Sequence, residues 1–177
     1  MKDVLKCAGL LAVGLFVAII AYPFLHESGH FLAALFLGEK VVEYSIFPTP
    51  YVVCEMSLLS EFNVVLIGLA GMYLPMIITF IVRPKSFWLW YGVLVTKGIC
   101  LLSFAISFIS IILYDFGIVI ANEDVIRVID ICEKGNLILA IFMLLTMVIT
   151  IYSISKQKPL SRILRYFDAP TKKASAV

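Results

Sequence analysis

The strongest constraint on this chain comes from four long apolar segments, separated by short polar stretches. They run over residues 4–37, 62–82, 87–113 and 137–154. An apolar helix of about 20 residues crosses the ~30 Å hydrocarbon core of a bilayer. A soluble domain would need more polar surface than a chain that is 62% apolar and 15% charged can supply. The sequence therefore predicts an all-α polytopic membrane protein with about four transmembrane helices.

The polar stretches between these segments predict smaller elements. Residues 39–57 contain β-branched and aromatic residues on both sides of Pro48 and Pro50, which predicts a small β-hairpin after the first helix. Residues 115–135 are partly amphipathic and predict a short helix leading into the last span. The first segment would be roughly 50 Å long as one helix, and Pro23 is its expected kink point.

The chain is long enough for one domain, so residues 1–155 are interpreted as a single transmembrane domain and 156–177 as a basic C-terminal tail. The first segment exceeds the apolar core of a signal peptide and is interpreted as a retained span. Basic residues favour the cytoplasmic side, which predicts cytoplasmic N- and C-termini because Lys2, Lys6 and the tail carry such residues. A net charge of only +2 argues against nucleic acid as a partner, and membrane lipid is the expected surrounding.

Both histidines of the chain fall in the motif His26-Glu27-Ser28-Gly29-His30, inside the first apolar segment. Positions i and i+4 of a helix share one face, so His26 and His30 can direct two imidazole nitrogens to one cation. Glu27 would project beside that cation, where it can take a proton from water. Polar groups at membrane depth are costly and usually functional. The motif therefore predicts a Zn²⁺ site with Glu27 as the catalytic base, against the simpler alternative of hydrogen-bonded side chains in a helix bundle.

A catalytic zinc site needs a third protein ligand, which must be a carboxylate here because no third histidine exists. Four candidates have suitable positions: Asp115, Glu123, Asp124 and Asp130. Asp124 follows Asn122, a helix-start residue, and opens the amphipathic helix. We favour Asp124, with Asp115 second. The structural alternatives are a helix N-cap for Asp124 and an interfacial charge for Asp115.

One further charge lies deep in a predicted span. Lys97 is about ten residues into the third apolar segment, or ~15 Å along the helix, which is far for a lysine to reach the interface. It is expected to line a polar channel or to pair with a carboxylate of the site.

Three segments resemble the site-2-protease-like intramembrane metallopeptidases, the M50 group, and especially their compact members. FLHESGHFLAALFLG is similar to the motif helix of that group, with Gly38 closing it. EKVVEYSIFPTPYVV followed by GLAGMYLP resembles its hairpin and small-residue segment, and NEDVIRVIDICEKGN resembles its aspartate-headed helix. The resemblance covers most of residues 22–155. Many members have an Asp-Gly pair at the aspartate, and the sequence Asp115-Phe116-Gly117 keeps Asp115 as an alternative.

The resemblance implies a zinc endopeptidase that cuts membrane-associated or transmembrane protein substrates. His26, His30 and Asp124 would match the metal ligands, and Glu27 the catalytic base. The hairpin could pair with an unwound substrate as an added strand. A catalytically inactive, metal-binding homologue that acts as a membrane interaction or accessory protein is the alternative, and a small transporter is a third. The oligomeric state is open.

Overall fold

A computed structural model describes residues 2–45, 49–55, 60–118, 123–131 and 136–168. In this part of the chain, four helical segments are long and apolar enough to cross a membrane, and a two-stranded hairpin follows the first. The predicted fold class is therefore confirmed, and the chain is a membrane protein. The helices are α1 (Lys2–Phe16), α2 (Tyr22–Phe36), α3 (Glu61–Ile81), α4 (Phe87–Asp115), α5 (Glu123–Ile131), α6 (Asn136–Lys156) and α7 (Pro159–Asp168).

The first span is one helical segment with a local irregularity. A π-helical turn, Val17–Ala21, joins α1 to α2 directly before Pro23. Proline lacks an N–H, and its ring crowds the carbonyl of the residue four positions earlier. A wider turn relieves that crowding, and such turns are frequent near functional sites. The irregularity thus lies in the turn before Pro23, one turn ahead of His26.

The hairpin consists of β1 (Val41–Ser45) and β2 (Tyr51–Cys54), paired antiparallel. Residues 46–48 of the predicted hairpin lie outside the described residues. Gly38 ends the preceding helix with a φ of 74°, a left-handed conformation that favours glycine. The Phe31 ring of α2 lies 5.3 Å from the Tyr44 ring of β1. This contact places the hairpin against the motif helix.

The buried core lies where α5 meets α3, α4 and α6. Val125, Val128 and Ile129 of α5 are almost fully buried, at the spacing of one helical face. On α4, the fully buried Cys100 and Phe104 face the same core. Within the amphipathic stretch 115–135, Glu123–Ile131 thus form a helix that packs against the bundle.

The basic ends of the chain lie together at one end of the bundle. Lys6 Nζ donates hydrogen bonds to the carbonyl oxygens of Tyr166 (3.1 Å) and Phe167 (2.8 Å) in α7. The Arg162 guanidinium lies 4.5 Å from the centre of the Trp90 ring at the start of α4. The basic tail therefore begins with a helix that packs on α1 and α4, whereas residues 169–177 lie outside the described part.

Candidate metal centre

Three potential ligand atoms converge where α2 meets α5. His26 Nε2 lies 3.0 Å from Asp124 Oδ2, His30 Nε2 lies 3.3 Å from the same oxygen, and the two Nε2 atoms are 3.2 Å apart. The side chains of His26 and His30 are 18% and 9% exposed, and that of Asp124 is 33% exposed. The structure thus brings together both histidines and the favoured aspartate.

This triangle has the dimensions that a tetrahedral zinc ion requires. Zinc–nitrogen and zinc–oxygen bonds of ~2.0–2.1 Å, separated by the tetrahedral angle, place ligand atoms ~3.3 Å apart. The three observed distances, 3.0, 3.2 and 3.3 Å, are close to that value. The residues therefore fit the predicted ion in donor type, number and spacing.

His30 is oriented by a hydrogen bond on its far nitrogen. Its Nδ1 lies 2.7 Å from the Ile67 carbonyl oxygen of α3, and a carbonyl can only accept, so Nδ1 carries the proton. This bond leaves the second nitrogen, Nε2, on the side of Asp124 Oδ2, 3.3 Å away. A proton or a metal cation between these two atoms would be attracted to the carboxylate. The arrangement therefore suits a cation held by His30 and Asp124.

The far nitrogen of His26 has a different environment. His26 Nδ1 is buried, and the described residues offer it no hydrogen-bond partner. Histidine ligands of metals almost always donate this second N–H to an oxygen. The Tyr22 ring lies 5.9 Å from the His26 ring, one helical turn earlier. Orientation of His26 thus depends on ring packing, whereas a hydrogen bond fixes His30.

Asp124 reaches the histidines because it lies in the first turn of the docked α5 helix. Burial alone would raise the pKa of Asp124, but hydrogen bonds and charge interactions with the two imidazoles hold its pKa well below the usual range. An ionised carboxylate is the form that binds a metal ion. Gly68 of α3 allows this docking, since a Cβ at that position would lie 2.7 Å from Val128 Cγ2.

Glu27 lies beside the two histidines, and its potential ligand atom is within 4.8 Å of theirs. Its half-buried side chain lines a cavity together with Val52 of β2. Asp124 completes the triangle opposite α2, so Glu27 is left between the histidines and the hairpin. This is the position that a proton acceptor for water near the triangle would need.

Two glycines, Gly29 within the motif and Gly71 of α3, set the distance between α2 and α3. A Cβ on Gly29 would lie 2.3 Å from the Ala70 carbonyl oxygen. One on Gly71 would lie 2.3 Å from His30 Nε2. The two helix backbones can approach this closely only because both residues lack a side chain. The small residues at 29, 68, 70 and 71 are the sequence signal for a close helix crossing. They do not indicate that Gly71 contacts the His30 ring.

The other predicted carboxylates lie elsewhere. Exposed Asp115 accepts a hydrogen bond of 3.3 Å from Asn136 Nδ2. Exposed Asp130 accepts one of 2.6 Å from the Tyr114 hydroxyl. The side chain of Glu123 lies outside the described part. Only Asp124 among these candidates contacts the histidines in the described residues.

Lys97 is buried in the span, as expected, but its contacts differ from the predicted ones. Its Nζ donates a 2.7 Å hydrogen bond to Ser153 Oγ of α6 and lies 4.5 Å from the centre of the Phe80 ring. The observed partners are thus a hydroxyl and an aromatic face rather than a site carboxylate. Lys97 of α4 thus links α3 and α6 through these two contacts.

Comparison with protein-family models, curated proteins and solved structures found no match for this chain.

Proposed function

We propose that this chain is a membrane-embedded, zinc-dependent endopeptidase that hydrolyses peptide bonds of membrane-associated or transmembrane substrates. One observation carries the proposal: His26, His30 and Asp124 place three ligand atoms within 3.3 Å of one another, inside a membrane protein. Glu27 stands directly beside them. A purely metal-binding protein would have no need of this carboxylate.

His26, His30 and Asp124 would hold the zinc ion. When bound, zinc acts as a Lewis acid that activates water and polarises a peptide carbonyl. The Ile67 carbonyl keeps His30 in the tautomer whose Nε2 is free to bind the ion. Three protein ligands leave one coordination position for the reaction.

Glu27 then moves the protons of the reaction. Its carboxylate accepts a proton from water as the oxygen attacks the peptide carbonyl, and it gives that proton to the leaving nitrogen as the C–N bond breaks. Glu27 and Val52 line one cavity, so the carboxylate is accessible from the hairpin side of the histidines. The reaction consumes one water molecule per peptide bond and needs no other reactant.

The hairpin supports a role in substrate positioning. A helical substrate must unwind before its carbonyl can react, because the helix already uses that carbonyl in a hydrogen bond. Val52 of β2 and Glu27 line the same cavity, so this strand borders the site. We infer that an unwound substrate pairs with β2 as an added strand.

The bundle also supports an orientation. Lys6, Arg162 and the other basic residues of α7 lie together at one end. Positive residues favour the cytoplasmic side, so we propose that the N-terminus and the C-terminal tail are cytoplasmic. Leu160 and Leu164 of α7 are 71% and 54% exposed and would face lipid at that surface.

Substitution of Glu27 by Gln tests the proposal. Gln keeps the shape of the side chain and one hydrogen-bond-accepting oxygen, but it cannot take a proton from water. General acid–base groups contribute ~10²–10⁴-fold to rate, so we expect cleavage to fall by at least about 100-fold with the zinc content unchanged. Glu61→Gln, at an exposed position at the start of α3, is the matched control and should cleave normally. Equal processing by wild type and Glu27→Gln would support a metal-binding protein without catalysis.

A further inference from the structure

Glu27 borders two cavities that lie on different faces of α2. One, of about 310 Å³, separates α2 from α4, and the other, of about 300 Å³, separates α2 from the hairpin. Both volumes are at the lower end of the ~300–1,000 Å³ found for ligand pockets. Space for side chains therefore exists on both sides of the proposed proton acceptor.

The cavity between α2 and α4 has a mostly aliphatic wall opposite the candidate metal centre. His26 and Glu27 contribute the α2 side. From α4 come residues that follow one helical face at intervals of three and four: Ile99, Leu102, Ser103 and Ile106. Leu102 and Ile106 are 60% and 43% exposed, so they form its mouth.

This wall belongs to a helix that is held firmly from another face. Cys100, Phe104 and Ser107 of α4 are fully buried against the rest of the bundle. Buried residues are close-packed and resist displacement. The wall therefore cannot move away easily, and the size of a side chain entering the cavity should matter.

We propose that the α2–α4 cavity is a side-chain subsite that takes a large apolar residue next to the bond that is cut. Successive side chains of an extended peptide point to opposite sides. If a scissile bond lies over Glu27, one of the two flanking side chains points toward α4 and the other points away from it. This inference rests on the proposed function and adds that Leu102 and Ile106 determine specificity.

A substrate panel tests the subsite. A library of single-span peptides, randomised around the membrane boundary, is incubated with the full chain in nanodiscs, and mass spectrometry identifies the cut position. The two flanking residues of a cleaved peptide are then replaced in turn by Ala, Leu, Phe and Trp. We expect Leu or Phe at one flanking position to be preferred over Ala by about 10-fold or more, the range for a few methylenes in an apolar pocket.

Variants of the wall identify the cavity responsible. Leu102→Trp should fill it, lowering kcat/KM for the Phe peptide by at least about 10-fold and changing the Ala peptide by less than about 3-fold. Ile106→Trp is a second variant with the same expected effect. Ile109→Trp is the matched control, because Ile109 is 50% exposed on α4 and does not line the cavity. Zinc content and helicity confirm that each variant is folded.

Peptide binding to Glu27→Gln, measured by fluorescence anisotropy, gives a readout that does not need cleavage. The Glu27→Gln protein should bind the Phe peptide more tightly than the Ala peptide. Adding the substitution Leu102→Trp should remove this difference in affinity. A different outcome is that the wild type cleaves the peptides with a Phe-to-Ala ratio that neither Leu102→Trp nor Ile106→Trp changes. That result would overturn the subsite and leave the peptidase proposal intact. If the wild type cuts no peptide and Glu27→Gln binds none, the proposed function itself is wrong, and the subsite with it.

Discussion

Gly71 lies directly against the imidazole of His30, so its substitution by Ala tests the geometry of the metal centre without removing a ligand. The added Cβ would be 2.3 Å from His30 Nε2 and 2.5 Å from Cε1. Ordinary contact begins at 3.4 Å, so the ring must withdraw by at least 3.4 − 2.3, or about 1.1 Å. Metal–ligand distances tolerate only ~0.2 Å. His30 is also 7% exposed and bonded to Ile67, which leaves it little freedom to adjust.

We therefore expect Gly71→Ala to weaken zinc binding by at least about 100-fold, the upper end of the effect of losing a partner that orients a ligand. Competition with a chromophoric chelator measures the affinity, and circular dichroism reports the fold. Gly98→Ala is the matched control, because Gly98 lies in α4 and a Cβ there meets nothing within 4 Å. Both changes gain similar helix propensity. Zinc affinity of Gly71→Ala within about threefold of wild type would refute this reasoning.

Two further predictions concern packing around the site. Gly68→Ala should push Val128 away and displace α5, which weakens zinc binding by about 10-fold. The double variant Gly68→Ala, Val128→Ala should restore zinc binding. Zinc binding that stays weak in the double variant would contradict the steric explanation. Lys97→Met should leave the thermal midpoint unchanged or raise it, because an apolar side chain replaces a buried charge that contacts only Ser153 and Phe80 among the described residues. A fall of more than about 4 °C in the Lys97→Met midpoint, or about 1 kcal/mol, would show that the charge stabilises the bundle.

Much of the fold could be predicted because its signals are local. Each transmembrane helix is specified by a run of apolar residues, and the structure moves the predicted bounds by only a few residues: the third span, expected over 87–113, is Phe87–Asp115. The hairpin follows from β-branched residues on both sides of a turn, and β1 and β2 lie within 39–57. The i, i+4 spacing places His26 and His30 on one face for the same reason.

The remaining features depend on contacts between distant segments. The helix-start signal favoured Asp124 over Asp115, but only the docking of α5 brings its carboxylate to the histidines, 98 residues away in sequence. The Ile67 carbonyl that orients His30 carries no side-chain signal. Lys97 was expected to line a polar channel or to pair with a site carboxylate, and the described residue that accepts its hydrogen bond is Ser153. Sequence periodicity gives the face of a helix, not the partner that the face meets.

Metal content of the purified protein, measured by elemental analysis, tests the central claim most directly. We predict about one zinc per wild-type chain, lost in His26→Ala and Asp124→Ala and retained in Asp115→Ala, whose carboxylate contacts Asn136 instead. A folded wild type that binds no zinc at saturating concentration, or loss of zinc with Asp115 rather than Asp124, would contradict the account.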